Sequence, residues 1–330
     1  MELRRLGTTD IEITPVGYGA WAIGGGGWSF GWGPQDDSES IAAIRHAVES
    51  GVNWIDTAAI YGLGHSEEVV AAALNGMSES ERPYVFTKCG LVPDPADPML
   101  PNRRVGDPAS VRDGIEASLR RLCVERIDLM QMHWPADNAA VEDYWGVLVE
   151  ARDAGKLRAI GLSNHDPEQL ARAEAIGHVD SLQPPFSLIK RDAAGTVLPW
   201  CATNGTGVIV YSPMQSGLLT GAFDRARVDA LPADDWRKRG PEFTTNLDAN
   251  LALVDALRAV ADRLGTTPGV VAIAWTLAFD AVTGAIVGAR RPDQVDGWIA
   301  AGGVRLDDAT LDELDAALRS TGAGTGPTLP

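Results

Sequence analysis

Four side chains able to move a proton follow neighbouring apolar runs of the sequence. Asp56 and Tyr61 come five residues apart in the stretch 51–68, and Lys88 and His133 end the next two runs. A phenol has an ordinary pKa of about 10, too high for efficient proton transfer at neutral pH. A nearby lysine cation would lower that pKa, an aspartate would hold the cation, and a neutral imidazole could donate a hydrogen bond to a substrate oxygen. Residues of these types in this order predict chemistry at a carbonyl group.

Each of these residues has a structural explanation when taken alone. An Asp before a Thr often caps a turn, a loop Tyr usually packs, and a Lys at a strand end is usually solvated. A lone His is more often structural than a ligand. Their joint placement favours catalysis. A metal-dependent hydrolase built on Asp56, His65 and His133 is the weaker alternative, because these residues lack a local spacing such as HExxH, and no metal is expected.

The elements that would carry these side chains alternate along the chain. Eight short apolar runs have the character of buried parallel strands, and amphipathic helical stretches separate them. The runs are residues 13–19, 53–55, 85–87, 127–132, 157–162, 179–182, 208–211 and 285–287. Eight strand and helix units predict a single domain, residues 1–330, with the α/β fold of a (β/α)8 TIM barrel. A doubly wound sheet is the alternative, but no strand is followed by a GxGxxG turn.

Helices and loops complete the expected barrel. The helical stretches are 38–50, 66–74, 108–122 and 141–154, and three more, 246–264, 268–279 and 307–318, predict extra C-terminal helices. The Gly-rich segment 17–33 is expected to be a mobile loop, because its glycines and tryptophans do not open a helix. The tail 321–330 is rich in Gly, Thr and Pro and is expected to be loose. In such a barrel, chemistry collects at the carboxyl ends of the strands, where the four side chains fall.

Composition narrows the class of partner. The formal net charge is -17 at pH 7, without a long run of Lys or Arg, which argues against a nucleic-acid partner. The cysteines Cys89, Cys123 and Cys201 have no metal-ligand spacing and fit a reducing compartment. The N-terminus lacks a signal-peptide segment, and no apolar stretch approaches 18 residues. We therefore expect a cytoplasmic protein, monomeric or homo-oligomeric, with a small-molecule substrate and no membrane contact.

The sequence resembles the aldo-keto reductases, specifically the bacterial branch related to the potassium channel beta subunits. The likeness runs from LRRLGTTDIEITPVGYGAW to IVGARRPDQ, and its most specific motif is DTAAIYGLGHSEEVVAAAL. It implies a barrel that binds NADPH, or less often NADH, and reduces an aldehyde or ketone, sugars included, to an alcohol. Tyr61 would be the general acid or base, Asp56 and Lys88 would lower its pKa, and His133 would orient the carbonyl.

The same resemblance implies a cofactor site. Ser163, Asn164 and Gln183 would hold the nicotinamide carboxamide, and Tyr211 would stack on the ring. A loop after Tyr211 would surround the pyrophosphate, and two arginines would bind the 2′-phosphate. The complete set is Gly19, Ala20, Trp21, Asp56, Ser163, Asn164, Gln183, Tyr211, Ser212, Pro213, Met214, Ser216, Gly217, Leu218, Gly288, Arg290, Arg291 and Gln294. The chain has Trp298 where the family usually has Asn, and Val287 where Pro is common. NADP is the expected cofactor, with NAD as the alternative.

Aromatic residues are expected to line the substrate pocket. They are Trp21, Trp28, Phe30, Trp32, Tyr61, His133 and Trp134, with Trp236 from a later loop. Tryptophan faces suit both apolar carbonyls and the C–H faces of sugars, so the lining does not choose between them. The segment 234–243 could fold over bound cofactor as a lid. A cofactor-binding regulatory subunit with slow chemistry, as in the channel beta subunits, is the alternative function.

Overall fold

The computed structural model of the chain describes residues 1–232 and 235–330. Its centre is a closed barrel of eight parallel strands, which confirms the predicted fold class. The strands are β1 Val16–Gly19, β2 Trp54–Asp56, β3 Tyr84–Cys89, β4 Ile127–Met132, β5 Leu157–Ser163, β6 Ser181–Gln183, β7 Gly207–Tyr211 and β8 Val282–Gly288. Each strand pairs with its neighbours in chain order, and β8 closes the barrel on β1 through the register Ala285 to Val16.

Twelve helices are found in the described ranges. They are α1 Asp37–Glu49, α2 His65–Leu74, α3 Pro108–Leu122, α4 Val141–Asp153, α5 Pro167–Glu174, α6 Asp192–Gly195, α7 Val197–Asn204, α8 Arg225–Asp229, α9 Leu247–Leu264, α10 Pro268–Leu277, α11 Pro292–Asp296 and α12 Asp308–Thr321. The start of α3 shows why these bounds are readable from sequence: the Asp107 side chain accepts from the Ser110 backbone N–H, and Pro108 fits the first turn. None of these helices is both long and apolar enough to cross a membrane.

The run 13–19, predicted as one strand, is divided in the structure. Glu12–Ile13 pairs antiparallel with Arg4–Arg5, and only Val16–Gly19 enters the barrel. Pro15 separates the two parts and has no N–H to give to a sheet. The Thr14 hydroxyl donates to the Val16 carbonyl at 2.8 Å, which fixes the turn.

The N-terminal hairpin, residues 4–13, closes the barrel at the amino ends of its strands. Its side chains Leu6, Ile11 and Ile13 are buried in one cluster with Trp54 of β2 and Phe86 of β3. Alternate residues of a strand share a face, so Lys88 follows Phe86 on the interior face of β3. The apolar floor therefore lies directly below the polar end of the barrel.

The Gly-rich segment 17–33 differs from the expected mobile loop. Gly17 and Gly19 belong to β1, Trp21–Ile23 forms one 3-10 turn, and Trp28 is buried. A Cβ on Gly17 would lie 2.1 Å from the Trp54 ring. Glycine is present there because the indole packs against the backbone, and not because the segment must move.

The C-terminal tail also differs from its expectation over residues 323–326. Thr325 forms a parallel bridge with Lys190, and the Arg191 guanidinium donates to the carbonyl oxygens of Ala323 and Gly326. Arg191 is buried, so its N–H groups need acceptors, and the tail backbone provides them. The start of the tail is attached to the barrel for that reason.

Candidate active site

The four candidate catalytic side chains meet at one end of the barrel. Asp56 ends β2, Lys88 lies near the end of β3, His133 directly follows β4, and Tyr61 opens a 3-10 turn after β2. The centroids of the Tyr61 and His133 rings are 5.7 Å apart, and Lys88 Nζ lies 5.2 Å from the centroid of the Tyr61 ring. Residues distant in sequence converge because the carboxyl ends of parallel strands share one rim.

Asp56 and Lys88 form a buried ion pair. Lys88 Nζ lies 2.5 Å from Asp56 Oδ1 and donates a second hydrogen bond to the Thr57 carbonyl at 2.9 Å. The other carboxylate oxygen, Oδ2, accepts a hydrogen bond from Gln183 Nε2 at 2.9 Å. Gln183, which the resemblance assigns to the carboxamide, therefore also reaches Asp56 and fixes its orientation.

The electrostatics of the site differ in one respect from the sequence expectation. Burial, reinforced by the Asp56 charge, raises the pKa of Tyr61 well above its usual value, whereas the residue pattern predicted a lowered pKa. The physical reason is that the positive charge of Lys88 is already neutralised by Asp56, so the loss of solvent around the phenol dominates. Burial, and then the Lys88 charge, hold the pKa of His133 well below its usual range, so the imidazole is neutral as expected.

The turn after Tyr61 has a backbone that only glycine fits well. Gly62 has a φ of 59°, and a Cβ there would lie 2.0 Å from the Gly24 carbonyl oxygen. The close approach joins the turn that carries Tyr61 to the first loop.

The helix after this turn, α2, is anchored by Glu67 in its first turn. The Glu67 carboxylate is fully buried and accepts hydrogen bonds from Thr87 and from Arg121 at 2.6 Å each, which fixes the start of α2.

One large cavity opens above these residues. Its volume is about 860 Å³, within the size range of ligand sites. Seven of the residues expected to line the substrate pocket line it: Trp21, Trp28, Phe30, Trp32, Tyr61, His133 and Trp134. Trp236, the eighth, is not among the lining residues. Most residues implied for the cofactor line it too: Gly19, Trp21, Asp56, Ser163, Asn164, Gln183, Tyr211, Ser212, Pro213, Met214, Ser216, Gly217, Gly288, Arg290 and Gln294. Ala20 and Leu218 are instead fully buried.

A hydrogen-bonded chain crosses the wall beside His133. Asn164 has a φ of 63° and donates to the His133 carbonyl at 3.0 Å. Its oxygen accepts from the Tyr211 hydroxyl at 2.8 Å, and Ser163 Oγ donates to the Gln183 carbonyl at 2.9 Å. These bonds fix the carboxamide and phenol groups that the resemblance assigns to the nicotinamide.

The two arginines expected at a phosphate differ in position. Arg290 lines the cavity, and three of its N–H groups donate to the Gln35 side-chain oxygen and to the carbonyl oxygens of Trp32 and Pro34. A guanidinium has five N–H donors, so two remain. Arg291 does not line the cavity: its side chain is half exposed and pairs with Asp293 at 3.1 Å. Of the two, Arg290 lines the cavity, and a contact of Arg291 with a phosphate stays a prediction.

The far part of the cavity fits a nicotinamide dinucleotide. Gly19 and Gly288 are register partners on β1 and β8, and both line the cavity. Because neither has a side chain, the backbone at this rim is open to a ring or a sugar. Trp298 also lines the cavity, and its buried Nε1 has no hydrogen-bond partner in residues 1–232 and 235–330. A buried unpaired donor of this kind calls for a polar ligand atom.

The segment expected to act as a lid lies over the first loop. Trp236 stacks on Trp21 with ring centroids 5.4 Å apart and meets Trp32 edge-on at 5.7 Å. The Arg237 guanidinium lies 4.9 Å from the centroid of the Trp32 ring. Asp234, the first residue of the expected lid, lies outside the described residues. The contacts place residues 236–237 at the mouth of the cavity.

Sequence reasoning missed several residues that line the cavity. They include Ala22, Ile60, Leu91, Pro101, Asn102, Arg104, Phe223, Arg227 and Thr267. Most lie in irregular loops, which carry no periodic signal. The arginines among them could have been noticed only as basic residues in an acidic chain.

The residues of the metal alternative do not come together. His65 bonds to Asp37 at 2.8 Å and is not among the residues that line the cavity. Across residues 1–232 and 235–330, no three His, Cys, Asp or Glu side chains are grouped as metal ligands. The geometry therefore favours proton transfer by Tyr61 over a metal site on His65 and His133.

Comparison with protein families gives one match over nearly the whole chain. The model described as the aldo/keto reductase family matches residues 15–319. An aldo-keto reductase named YhdN from Bacillus subtilis is 33% identical over 323 residues, which cover 97% of this chain and 95% of that protein. An NADH-specific methylglyoxal reductase from Escherichia coli is 34% identical over 316 residues, covering 92% of this chain and 94% of that protein.

Solved structures show the same likeness. The glycerol dehydrogenase AKR11B4 from Gluconobacter oxydans superposes with a TM-score of 0.89 at 34% identity, covering 98% of this chain and 97% of that chain. The holo form of the aldo-keto reductase AKR11C1 from Bacillus halodurans has a TM-score of 0.78 at 22% identity, with 96% of each chain covered. The second comparison supports the fold alone.

Proposed function

Because the chain belongs to the aldo/keto reductase family, we propose that it is a nicotinamide-dependent oxidoreductase that reduces an aldehyde or ketone to an alcohol. The proposal is carried by the group of Tyr61, Lys88, Asp56 and His133 at the inner end of a cavity large enough for a dinucleotide and a small substrate. The names of two relatives, a methylglyoxal reductase and a glycerol dehydrogenase, support a small oxygenated substrate, sugars included.

In this proposal, proton transfer belongs to Tyr61. The phenol gives its proton to the carbonyl oxygen during reduction and takes one from the alcohol during oxidation. Its raised pKa keeps the proton on the oxygen at neutral pH. Lys88 stabilises the phenolate that remains, Asp56 holds Lys88, and the neutral His133 ring donates a hydrogen bond to the substrate oxygen. When bound, the nicotinamide cofactor supplies hydride to the carbonyl carbon.

We infer that NADP is the cofactor. Ser163, Asn164 and Gln183 would hold the carboxamide, and Tyr211 would face the ring. The loop 212–218 would surround the pyrophosphate, where the left-handed backbone of Ser212, Gln215 and Ser216 gives a tight fold. At the far end, Arg290 with its two remaining donors would meet the 2′-phosphate, and Gln294 would lie near the adenine.

The catalytic role is tested with Tyr61→Phe. We expect kcat to fall about 100-fold to 10,000-fold with a panel of aldehydes, ketosugars and diketones, while NADPH still binds. The matched control is Tyr84→Phe, because Tyr84 is half-buried and packs against Arg158 outside the cavity. Wild-type turnover no higher than that of Tyr61→Phe would instead favour a cofactor-binding regulatory subunit. Sensitivity to a chelator would favour the metal alternative.

The cofactor proposal is tested by equilibrium binding of two adenine nucleotides that differ in one phosphate. We expect 2′,5′-ADP to bind at least about tenfold more tightly than 5′-AMP, the effect of one charged hydrogen bond. Arg290→Gln should remove most of that ratio, and Arg291→Gln should leave it in place. Equal affinity of the wild-type protein for the two nucleotides would show that NAD is the better assignment.

A further inference from the structure

Arg104 is a cation in the wall of the substrate end of the cavity. Its guanidinium lies 4.5 Å from the centroid of the Trp134 ring, and both residues line the cavity. Trp134 directly follows His133, whose ring is 5.7 Å from that of Tyr61. The aromatic face holds the cation by a cation–π contact while leaving its N–H edge available. A positive charge, on a side chain that is partly open to solvent, therefore lies against the residue that follows His133.

The backbone that carries Arg104 is held on both sides. Arg104 pairs with Leu91 in a short antiparallel hairpin, and its carbonyl accepts from the Asp137 N–H at 3.1 Å. The next residue, Val105, donates to the Gly90 carbonyl at 2.8 Å. These bonds attach the hairpin to the end of β3 and to the loop after β4. The backbone position of Arg104 is therefore set by the barrel.

Arg104 differs from the other arginines of the cavity in its partners. Arg237 pairs with Asp235 at 2.6 Å, and Arg290 is bonded to the first loop. Arg227 donates to the Ala222 carbonyl at 2.9 Å. For Arg104, no carboxylate lies within ion-pair distance in residues 1–232 and 235–330, and its side chain donates no hydrogen bond there. This holds in a chain with 45 acidic residues against 28 basic ones. A guanidinium left without an anion at a ligand cavity is available to a ligand anion.

Asn102 adds a second polar group to the same wall. It lies two residues before Arg104 and also lines the cavity. Its side-chain oxygen is buried and has no hydrogen-bond partner in the part of the chain that the structure describes. A buried amide oxygen without a donor is costly, so a hydroxyl or N–H group of a ligand at this wall would satisfy it. Arg103, between the two, is exposed and does not line the cavity.

We propose that Arg104 selects carbonyl substrates that carry an anionic group, a carboxylate or a phosphate ester, at the end away from the carbonyl. The guanidinium binds the anion while Trp134 fixes its plane, and the Asn102 carboxamide bonds a neighbouring polar group of the substrate. The carbonyl of the same molecule then points toward Tyr61 and His133. This proposal rests on the proposed reductase function of that site.

The kinetic test compares substrates with and without an anionic group. For the wild-type protein, we expect kcat/KM to be at least about tenfold higher for 4-carboxybenzaldehyde than for 4-carbamoylbenzaldehyde, if the anion is a carboxylate. If the anion is a phosphate ester, kcat/KM should be at least about tenfold higher for glyceraldehyde 3-phosphate than for glyceraldehyde. Tenfold is the effect of one charged hydrogen bond. The larger ratio identifies the anion. Arg104→Gln should reduce that ratio to near one, and Arg103→Gln should leave it unchanged. The preference should also weaken as salt rises. Ratios near one in the wild-type protein, or equal ratios in both variants, would overturn the proposal.

A binding experiment separates this proposal from the reductase function itself. Calorimetric titration with terephthalate and with inorganic phosphate needs no turnover. We expect at least one of the two to bind the wild-type protein about tenfold more tightly than Arg104→Gln, with Arg103→Gln like the wild type. The result supports the anion site even if no carbonyl is reduced. Equal binding of both probes to all three proteins would refute the anion site even if carbonyl reduction is established.

Discussion

The ion pair of Asp56 and Lys88 should show strong energetic coupling in a double-mutant cycle. The two side chains are 4% and 0% exposed, and their charged atoms lie 2.5 Å apart. At an effective dielectric constant of 20, Coulomb attraction at that distance is about 7 kcal/mol. Removing two charges from water offsets most of this, at several kcal/mol for each ion. The intact pair therefore adds little net stability, but either ion left alone is costly.

We expect Asp56→Asn and Lys88→Met each to lower the free energy of unfolding by about 3–5 kcal/mol. Asp56→Asn leaves the buried ammonium with the Thr57 carbonyl, and Lys88→Met leaves the carboxylate with the Gln183 amide. The double variant removes both charges, so it should cost no more than one single variant. The coupling energy is then about 3–5 kcal/mol.

Urea unfolding at pH 7, followed by circular dichroism and by tryptophan fluorescence, measures these free energies where the two transitions coincide. The matched control is the exposed pair of Arg112 and Glu150, 2.8 Å apart, for which a coupling below about 1 kcal/mol is expected. If the two single changes at Asp56 and Lys88 add up to the double change within about 1 kcal/mol, the pair is not a buried ion pair and the reasoning is refuted.

The remaining predictions concern pH and backbone fit. Burial lowers the pKa of His165 to about 4, so between pH 6.5 and pH 4 the unfolded chain binds a proton at this residue that the native protein does not. His165 should therefore account for about 3 kcal/mol of the stability that urea unfolding shows to be lost over that range. His165→Gln should reduce the loss by about that amount, and the buried His133 should keep its own contribution. Because the pKa of Tyr61 is raised, the rate of carbonyl reduction should decline only in the strongly alkaline range. The rate of alcohol oxidation should instead rise with pH. A reduction rate that falls near pH 7 would contradict the role of Tyr61 as the proton donor. The new Cβ of Gly62→Ala would collide with the Gly24 carbonyl and shift Tyr61, so kcat/KM should fall about 100-fold. The control is Gly155→Ala, where φ is 78° but the space is open, and it should leave kcat/KM unchanged. Equal effects of the two variants on kcat/KM would refute the steric argument.

Regular elements were predictable because their signals are local. The bounds of α3 are predicted by the Asp107 cap and Pro108 at its start and by the apolar spacing of its buried face. The placement of Asp56, Lys88 and His133 at the strand ends followed from the barrel, since parallel strands bring their carboxyl ends to one rim. These inferences needed only residue types and their order.

Features set by distant contacts were not predictable. The raised pKa of Tyr61 depends on how completely the phenol is surrounded, which no residue pattern shows. The attached tail depends on the buried Arg191, 132 residues from its acceptor Ala323. Likewise, the position of Arg104 over Trp134 is produced by a pair of two-residue strands, which are too short to show a periodic pattern. Each of these features is fixed by the tertiary structure and not by local sequence.

The N-terminal hairpin determines when the chain can finish folding during synthesis. Gly7, with a φ of 57°, packs against Gly207, and the Arg4 guanidinium donates to the Val282 carbonyl at 3.0 Å across 278 residues of chain. The hairpin is made long before the last barrel strand, so it cannot reach its final position until that strand has been made. Contacts so distant in sequence form slowly. Until then, the cluster that holds Leu6 and Ile11 lacks Ile286 of β8, and a nascent barrel paused before its last strand would expose apolar surface that favours aggregation.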